Sequence, residues 1–223
     1  MTEQNRAEVQ SQAPGADALS PLPKTGWLAD PAPLGLAGFA GTTFFLSVVN
    51  TNMVGAASLT GVLGLAFFYG GLAQLVAGLW EFPRGNTFGA TAFCSFGAFW
   101  LSYWYIVVHV LPGLPKTARL SDVHHMLGLY LLVWTIFTAY MTIGALRVSG
   151  AVLVVFVLLT LTFLALTIAE FTHSTNPAST AISSWQKLGG WLGLLTALAA
   201  WYASLAGVVN ATYKRVVFPT MPR

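Results

Sequence analysis

DPAPLGLAGF, Asp30 to Phe39, closes a polar stretch and opens a long apolar one. Two prolines and two glycines in ten residues are ordinarily loop punctuation, yet here they sit at the front of a hydrophobic segment. Asp30 is a good helix cap, and Pro31 then falls at the first helical position, where its missing N–H costs nothing. Pro33 fixes the backbone further, and Gly35 and Gly38 allow a second helix to approach closely. Leu34 and Leu36 supply apolar surface between them. Helix starts also carry partial positive charge and free N–H groups, so they attract anions. The stretch therefore reads either as a capped, tightly packed helix start or as one that faces an anion. GNTFG, Gly85 to Gly89, opens a later apolar run in the same way, with Asn86 and Thr87 at its start.

The composition around this stretch sets the class. The chain has 223 residues, 56% of them hydrophobic and 8% charged, and a mean hydropathy of +0.69. A soluble domain carries about 25% charged residues. The outside of this protein must therefore face lipid. A membrane-crossing helix needs about 20 mostly apolar residues. Six such runs occur, at 33–57, 59–80, 87–111, 126–146, 150–171 and 187–210. The expected fold is an all-α membrane protein of six transmembrane helices, arranged as three helical hairpins around a pore. Residues 1–32 read as a flexible tail without a cleaved signal peptide, 33–210 as the transmembrane transport domain, and 211–223 as a short tail.

Loop charge gives an orientation. Arg6, Lys24, Arg84, Arg147, Lys214, Arg215 and Arg223 fall on one side, and Lys116, Arg119 and Lys187 on the other. The excess places both termini in the cytoplasm of a multi-pass protein of the plasma (inner) membrane. Trp27, Trp80, Trp100, Trp104 and Trp185 fall near span ends, as an interfacial belt would. Gly189, Gly193 and Ala197, then Ala200, Ser204 and Gly207, make a small-residue stripe suited to helix packing, within one copy or between copies.

The stretch resembles the N-P-A-P-L-G-L signature of the acetate uptake transporter family, which includes bacterial succinate–acetate permeases and fungal acetate and ammonium transporters. FYGGLAQLVAGLWEFPRGNTFGATAFCSFGAFW, Phe68 to Trp100, is similar to that family's second and third spans nearly throughout. The resemblance implies six helices per protomer, a homo-hexamer, a separate pore in each protomer, and acetate and related short monocarboxylates, sometimes succinate or lactate, as substrate. It also implies an apolar constriction of Phe, Tyr and Leu. These fall on Phe39, on Phe96 in CSFGAFW, and on Leu159 in VFVLLTLTF. Two residues depart from the pattern. Asp30 stands for the leading Asn and adds a charge that points away, handles a proton, or alters the anion preference. Phe96 stands for Tyr and removes a hydroxyl from the gate.

Other polar residues bear on the path. Asn50 and Gln74 are buried amides that either join helices or line the pore. Thr43, Thr91 and Ser95, with Thr42, are hydroxyls that either bond their own helix or meet substrate. Glu81 beside Arg84 reads as an interfacial cap or pair, and Glu170, His173, His124 and His125 as solvated groups beyond the spans. No span carries a central Lys or Arg. H-E-x-x-H, G-x-S-x-G and a phosphate loop are missing, so neither enzyme chemistry, a metal nor a cofactor is called for. No basic run or aromatic motif suggests nucleic acid. The chain reads as a pore for acetate, with or without protons. An ammonium or other small-solute channel of the same build is the nearest rival, and a non-transporting membrane scaffold or sensor the more distant one.

Overall fold

The structure, a computed structural model, describes residues 28–173 and 183–222. Arg6, Lys24, Trp27, Arg223 and most of the 1–32 tail lie outside the described residues. Six helices are long and apolar enough to cross a membrane: α1 Ala32–Asn50, α2 Leu59–Glu81, α3 Thr87–Gly113, α4 Leu120–Ala145, α5 Gly150–Phe171 and α6 Ser184–Tyr213. In lipid every backbone polar group must be satisfied internally, which is why the apolar runs fold as continuous helices.

The helix starts are set by short polar side chains. α1 begins at Ala32, with Pro31 rather than Asp30 in the cap position; Asp30 Oδ1 still accepts the Ala32 N–H at 3.1 Å, and the Pro31 carbonyl accepts the Gly35 N–H at 3.1 Å. Asn86, Ser149 and Ser183 cap α3, α5 and α6 by accepting from Gly89, Val152 and Gln186. α1 ends at Asn50, not at 57. The Thr51 hydroxyl turns back to the Val48 carbonyl at 2.7 Å, and Asn52 takes a φ of 66°. Spans 1 and 2 are thus joined by a real link, residues 51–58. α4 starts at Leu120, earlier than 126, with Asp122 in its first turn and paired to Arg119 at 3.0 Å.

α1 packs along α6, α6 along α5, α5 along α4, and α2 against both α1 and α3. α3 and α4 have few close backbone contacts and meet through rings instead, such as Phe99 on Tyr130 with centroids 5.8 Å apart. The small-residue stripe of α6 serves this chain's own packing. Gly193 lies against Ser47, Gly207 against Pro33 and Gly189 against Leu166 of α5, while Gly190, next to the stripe, lies against the backbone of Asn50 and Thr51. Ala197 and Ala200 are fully buried. α2 widens to π-type turns over Leu65–Ala73, where the Leu65 carbonyl accepts from the Thr42 hydroxyl of α1 at 3.3 Å. Trp80 and Trp185 are exposed. Trp100 is 2% exposed and belongs to the core, because its position faces α2 rather than lipid.

Beyond α6 the chain doubles back. Asn210 Oδ1 accepts the N–H groups of Val217 and Phe218, and its Nδ2 donates to the Phe218 carbonyl. Tyr202 donates to the Pro219 carbonyl at 2.7 Å. Gly150 and Ala151, at the start of α5, donate to the carbonyls of Met221 and Thr220.

Candidate functional site

α1, α3 and α5 all start at one end of the molecule, and two cavities lie between them. The larger, about 400 Å³, sits toward the far end and is lined by Thr43, Asn50, Tyr103, Tyr130, Thr162 and Glu170 among others. The smaller, about 80 Å³, sits at the helix-start end, with Leu36, Gln74, Glu81, Asn86, Phe93 and Val152 in its wall. Phe39 and Leu159 border both cavities. Phe96 borders the smaller one and stands 5.8 Å, ring to ring, from Phe39. Helical spacing places Phe39 as the eighth residue of α1, and Phe96 and Leu159 as the tenth residues of α3 and α5, at similar depth.

The ring around Phe96 is aromatic throughout. Its side chain is 3% exposed and touches Trp134, Phe137, Phe156 and Phe163 at centroid separations of 5.3 to 6.4 Å. No charged or hydroxyl group enters this layer from Phe39, Phe96 or Leu159. A solute that passes there must shed its water and cannot regain those hydrogen bonds, which strongly disfavours a bare ion.

Polar groups stand on either side. In the larger cavity Asn50 Oδ1 accepts from Gln186 Nε2 at 3.5 Å, and the buried Thr43 hydroxyl has no partner. Thr42 instead bonds its own helix, to the Gly38 carbonyl at 2.9 Å. Gln74 is buried beside the smaller cavity with its Oε1 unpartnered. Thr91 and Ser95 line neither cavity, since they fall on other faces of α3.

Some of the helix-start amides are engaged within the protein. Asp30 holds the Ala32 N–H of α1, Asn86 holds the Gly89 and Ala90 N–H groups of α3, and Ser149 with the returning chain holds the first three of α5. Pro33 gives its carbonyl to Ser204 of α6 at 2.7 Å, Gly35 packs on Phe93, and Leu34 is exposed. Gly85 takes a φ of 71°, the left-handed turn that lets Thr87 begin α3 directly. DPAPLGLAGF is thus packed closely against α3 and α6. Asp30 remains at the surface, 3.7 Å from Arg84 Nη2.

Two groups differ from the sequence expectation. Glu81 makes the expected pair with Arg84 but is 0% exposed. Its Oε2 accepts from Asn86 Nδ2 at 3.0 Å and lies 3.7 Å from Arg84 Nε, and its Oε1 has no partner. His124 and Glu170 are not free in solvent either. His124 Nδ1 meets Glu170 Oε2 at 2.7 Å across α4 and α5, and the His173 ring stacks edge-on upon His124 with centroids 3.7 Å apart. Burial and the neighbouring His124 push His173 below its ordinary value of 6.5, against a smaller opposing pull from Glu170. Both surprises have one source. A charge at a span end looks the same in sequence whether it faces water or a cavity.

Residues 12–223 match the GPR1/FUN34/yaaH family. The chain is 43% identical over 183 residues to Ammonia transport outward protein 2 of Saccharomyces cerevisiae, an alignment that covers 82% of this chain and 62% of that protein. It thus spans less than two thirds of the yeast relative's length. It is 39% identical over 193 residues to the succinate-acetate/proton symporter SatP of Escherichia coli, covering 86% of this chain and 95% of that one. The solved structure of the bacterial acetate channel SatP superposes with a TM-score of 0.75 at 36% identity, over 86% of this chain and 99% of that chain. A signature at Asp30–Phe39, six spanning helices and an aromatic layer between two cavities thus occur in a chain that belongs to the GPR1/FUN34/yaaH family.

Proposed function

We propose that the chain is a membrane channel or transporter for acetate and related short monocarboxylates, with one pathway through each copy. The observation that carries this reading is that Phe39 and Leu159 border both cavities, with Phe96 against Phe39. These three side chains are the constriction. An acid waits in the larger cavity, where Thr43 and Asn50 offer hydrogen bonds, crosses the aromatic layer stripped of water, and reaches Gln74 in the smaller one. An apolar layer of this kind favours a small solute over a larger or more hydrated one.

The similarity to the SatP proteins, named as an acetate channel and as a succinate-acetate/proton symporter, supports acetate as substrate and a proton as its partner. We further infer a homo-hexamer in the plasma (inner) membrane, with both termini and the smaller cavity on the cytoplasmic side, as the excess of Arg and Lys on that side favours.

The test is uptake of labelled acetate by liposomes that hold the purified protein, with diffusion into empty liposomes subtracted. Protein-dependent uptake that propionate and lactate compete is the expected outcome. Competition by ammonium in place of these acids would transfer the pathway to the ammonium reading, and no protein-dependent flux of either would leave a scaffold or sensor.

A further inference from the structure

Glu81 is the one fully buried ionisable side chain among the described residues. A buried carboxylate normally has every oxygen engaged. Here Oε2 is engaged, by Asn86 Nδ2 at 3.0 Å and the Arg84 guanidinium at 3.7 Å, and Oε1 is not. The residue borders the smaller cavity, two turns along α2 from Gln74, whose Oε1 is also unpartnered. Gly89 leaves the room for it: a Cβ there would stand 2.8 Å from Oε1. Arg84 is shared with Asp30, whose side chain is 49% exposed, so a polar chain links Glu81 to the surface.

We propose that Glu81 is the proton-binding residue of the pathway and the group that admits a carboxylate to the smaller cavity. With a proton from solvent on Oε1, it is a neutral donor that hydrogen-bonds one oxygen of the substrate's carboxylate, a short and strong contact. Without that proton it is a buried negative charge that repels the same carboxylate. No bond to substrate forms or breaks. The proton returns to solvent from Oε1, and the charged groups that then face the carboxylate are Arg84, which holds it, and Asp30, which opposes it. Asn86 and Gln74 are neutral throughout. The inference rests on the acetate pathway proposed above and assigns its proton to a residue.

The experiment is equilibrium exchange of labelled acetate at equal pH on both faces of the liposome, across a pH series, for the parent protein, Glu81→Gln and Glu81→Asp. The amide of Glu81→Gln mimics the protonated acid at every pH. The share of acetate present as free acid is common to all three, so their ratio at each pH isolates residue 81. The ratio of Glu81→Gln to parent is expected to rise about tenfold per pH unit once the carboxyl titrates, while Glu81→Asp keeps the parent's fall. A constant ratio overturns the assignment. If Glu81→Gln does not yield folded protein by size-exclusion, Arg84→Gln is expected to move the midpoint of the pH profile, and an unmoved midpoint overturns it. Absence of exchange by the parent protein itself would count against the acetate pathway, which separates that failure from this one.

Discussion

In the proposed pathway Phe39 is the residue that decides size. It borders both cavities and rests against Phe96 at 5.8 Å. Phe39→Ala joins the two cavities at that point and should admit larger acids such as butyrate, read as uptake of an acid size series into liposomes. Because cavities already flank the ring, the loss of stability should fall short of the about 3–5 kcal/mol typical of a Phe→Ala change in a packed core. Unchanged size selectivity would remove Phe39 from the constriction. Phe96→Tyr adds a hydroxyl amid Phe137, Phe156, Phe163 and Trp134. An unpartnered buried hydroxyl costs about 1–3 kcal/mol, so the hydroxyl should seek the cavity and alter acetate kinetics. A lower melting temperature with kinetics identical to the parent's would reduce residue 96 to packing.

At the scale of elements, the contact of α6 with α1 depends on missing side chains. A Cβ on Gly190 would lie 2.6 Å from the Thr51 amide nitrogen, a backbone atom that cannot rotate away. Gly190→Ala should cost about 1–3 kcal/mol through overpacking, measured as thermal unfolding in detergent. Gly64→Ala is its control. Nothing lies within 4 Å of that position, and alanine is the better helix former, so its melting should equal or exceed the parent's. The six helices were legible in the sequence because lipid leaves a long apolar run only one way to satisfy its backbone. Their ends were less so. TNMVGAA after Asn50 is apolar enough to prolong α1, and only the Thr51 hydroxyl and the left-handed Asn52 end it. Arg119 and Asp122 carry charge that hides the first turns of α4, although their pairing favours helix there. Phe39, Phe96 and Leu159 could be singled out by motif, whereas the burial of Glu81 could not be read from the sequence. It depends on Gly89 of a different helix and on cavity space that hydropathy does not register.

For the molecule as a whole, the far end, beside the larger cavity, carries a cluster that responds to acid. At the far end, His124 ties α4 to Glu170 of α5, with His173 packed on it. His173 is harder to protonate in the folded protein than at its ordinary 6.5. Above that pH it is neutral folded or unfolded. As pH falls through 6.5 the unfolded chain takes the proton first, so stability declines until the folded His173 is protonated as well. The melting temperature should therefore drop over this range, and His173→Asn should flatten the part that His173 contributes. An identical pH dependence in the variant would assign the drop elsewhere.

The returning chain at 217–222 has a practical corollary for anyone who purifies or edits this protein. Its carbonyls at Thr220 and Met221 terminate the hydrogen-bond ladder of α5, and Val152, one residue beyond Ala151, is a wall of the smaller cavity. The last residues are thus part of the mouth's architecture. An affinity tag fused without a spacer tugs on that architecture, and a truncation after Lys214 bares two amides beside the smaller cavity. If acids pass there as proposed, such a shortened protein should hold them longer than the intact one, read as slower exchange of labelled acetate by liposomes, a change of dwell time produced without touching any residue in the aromatic layer.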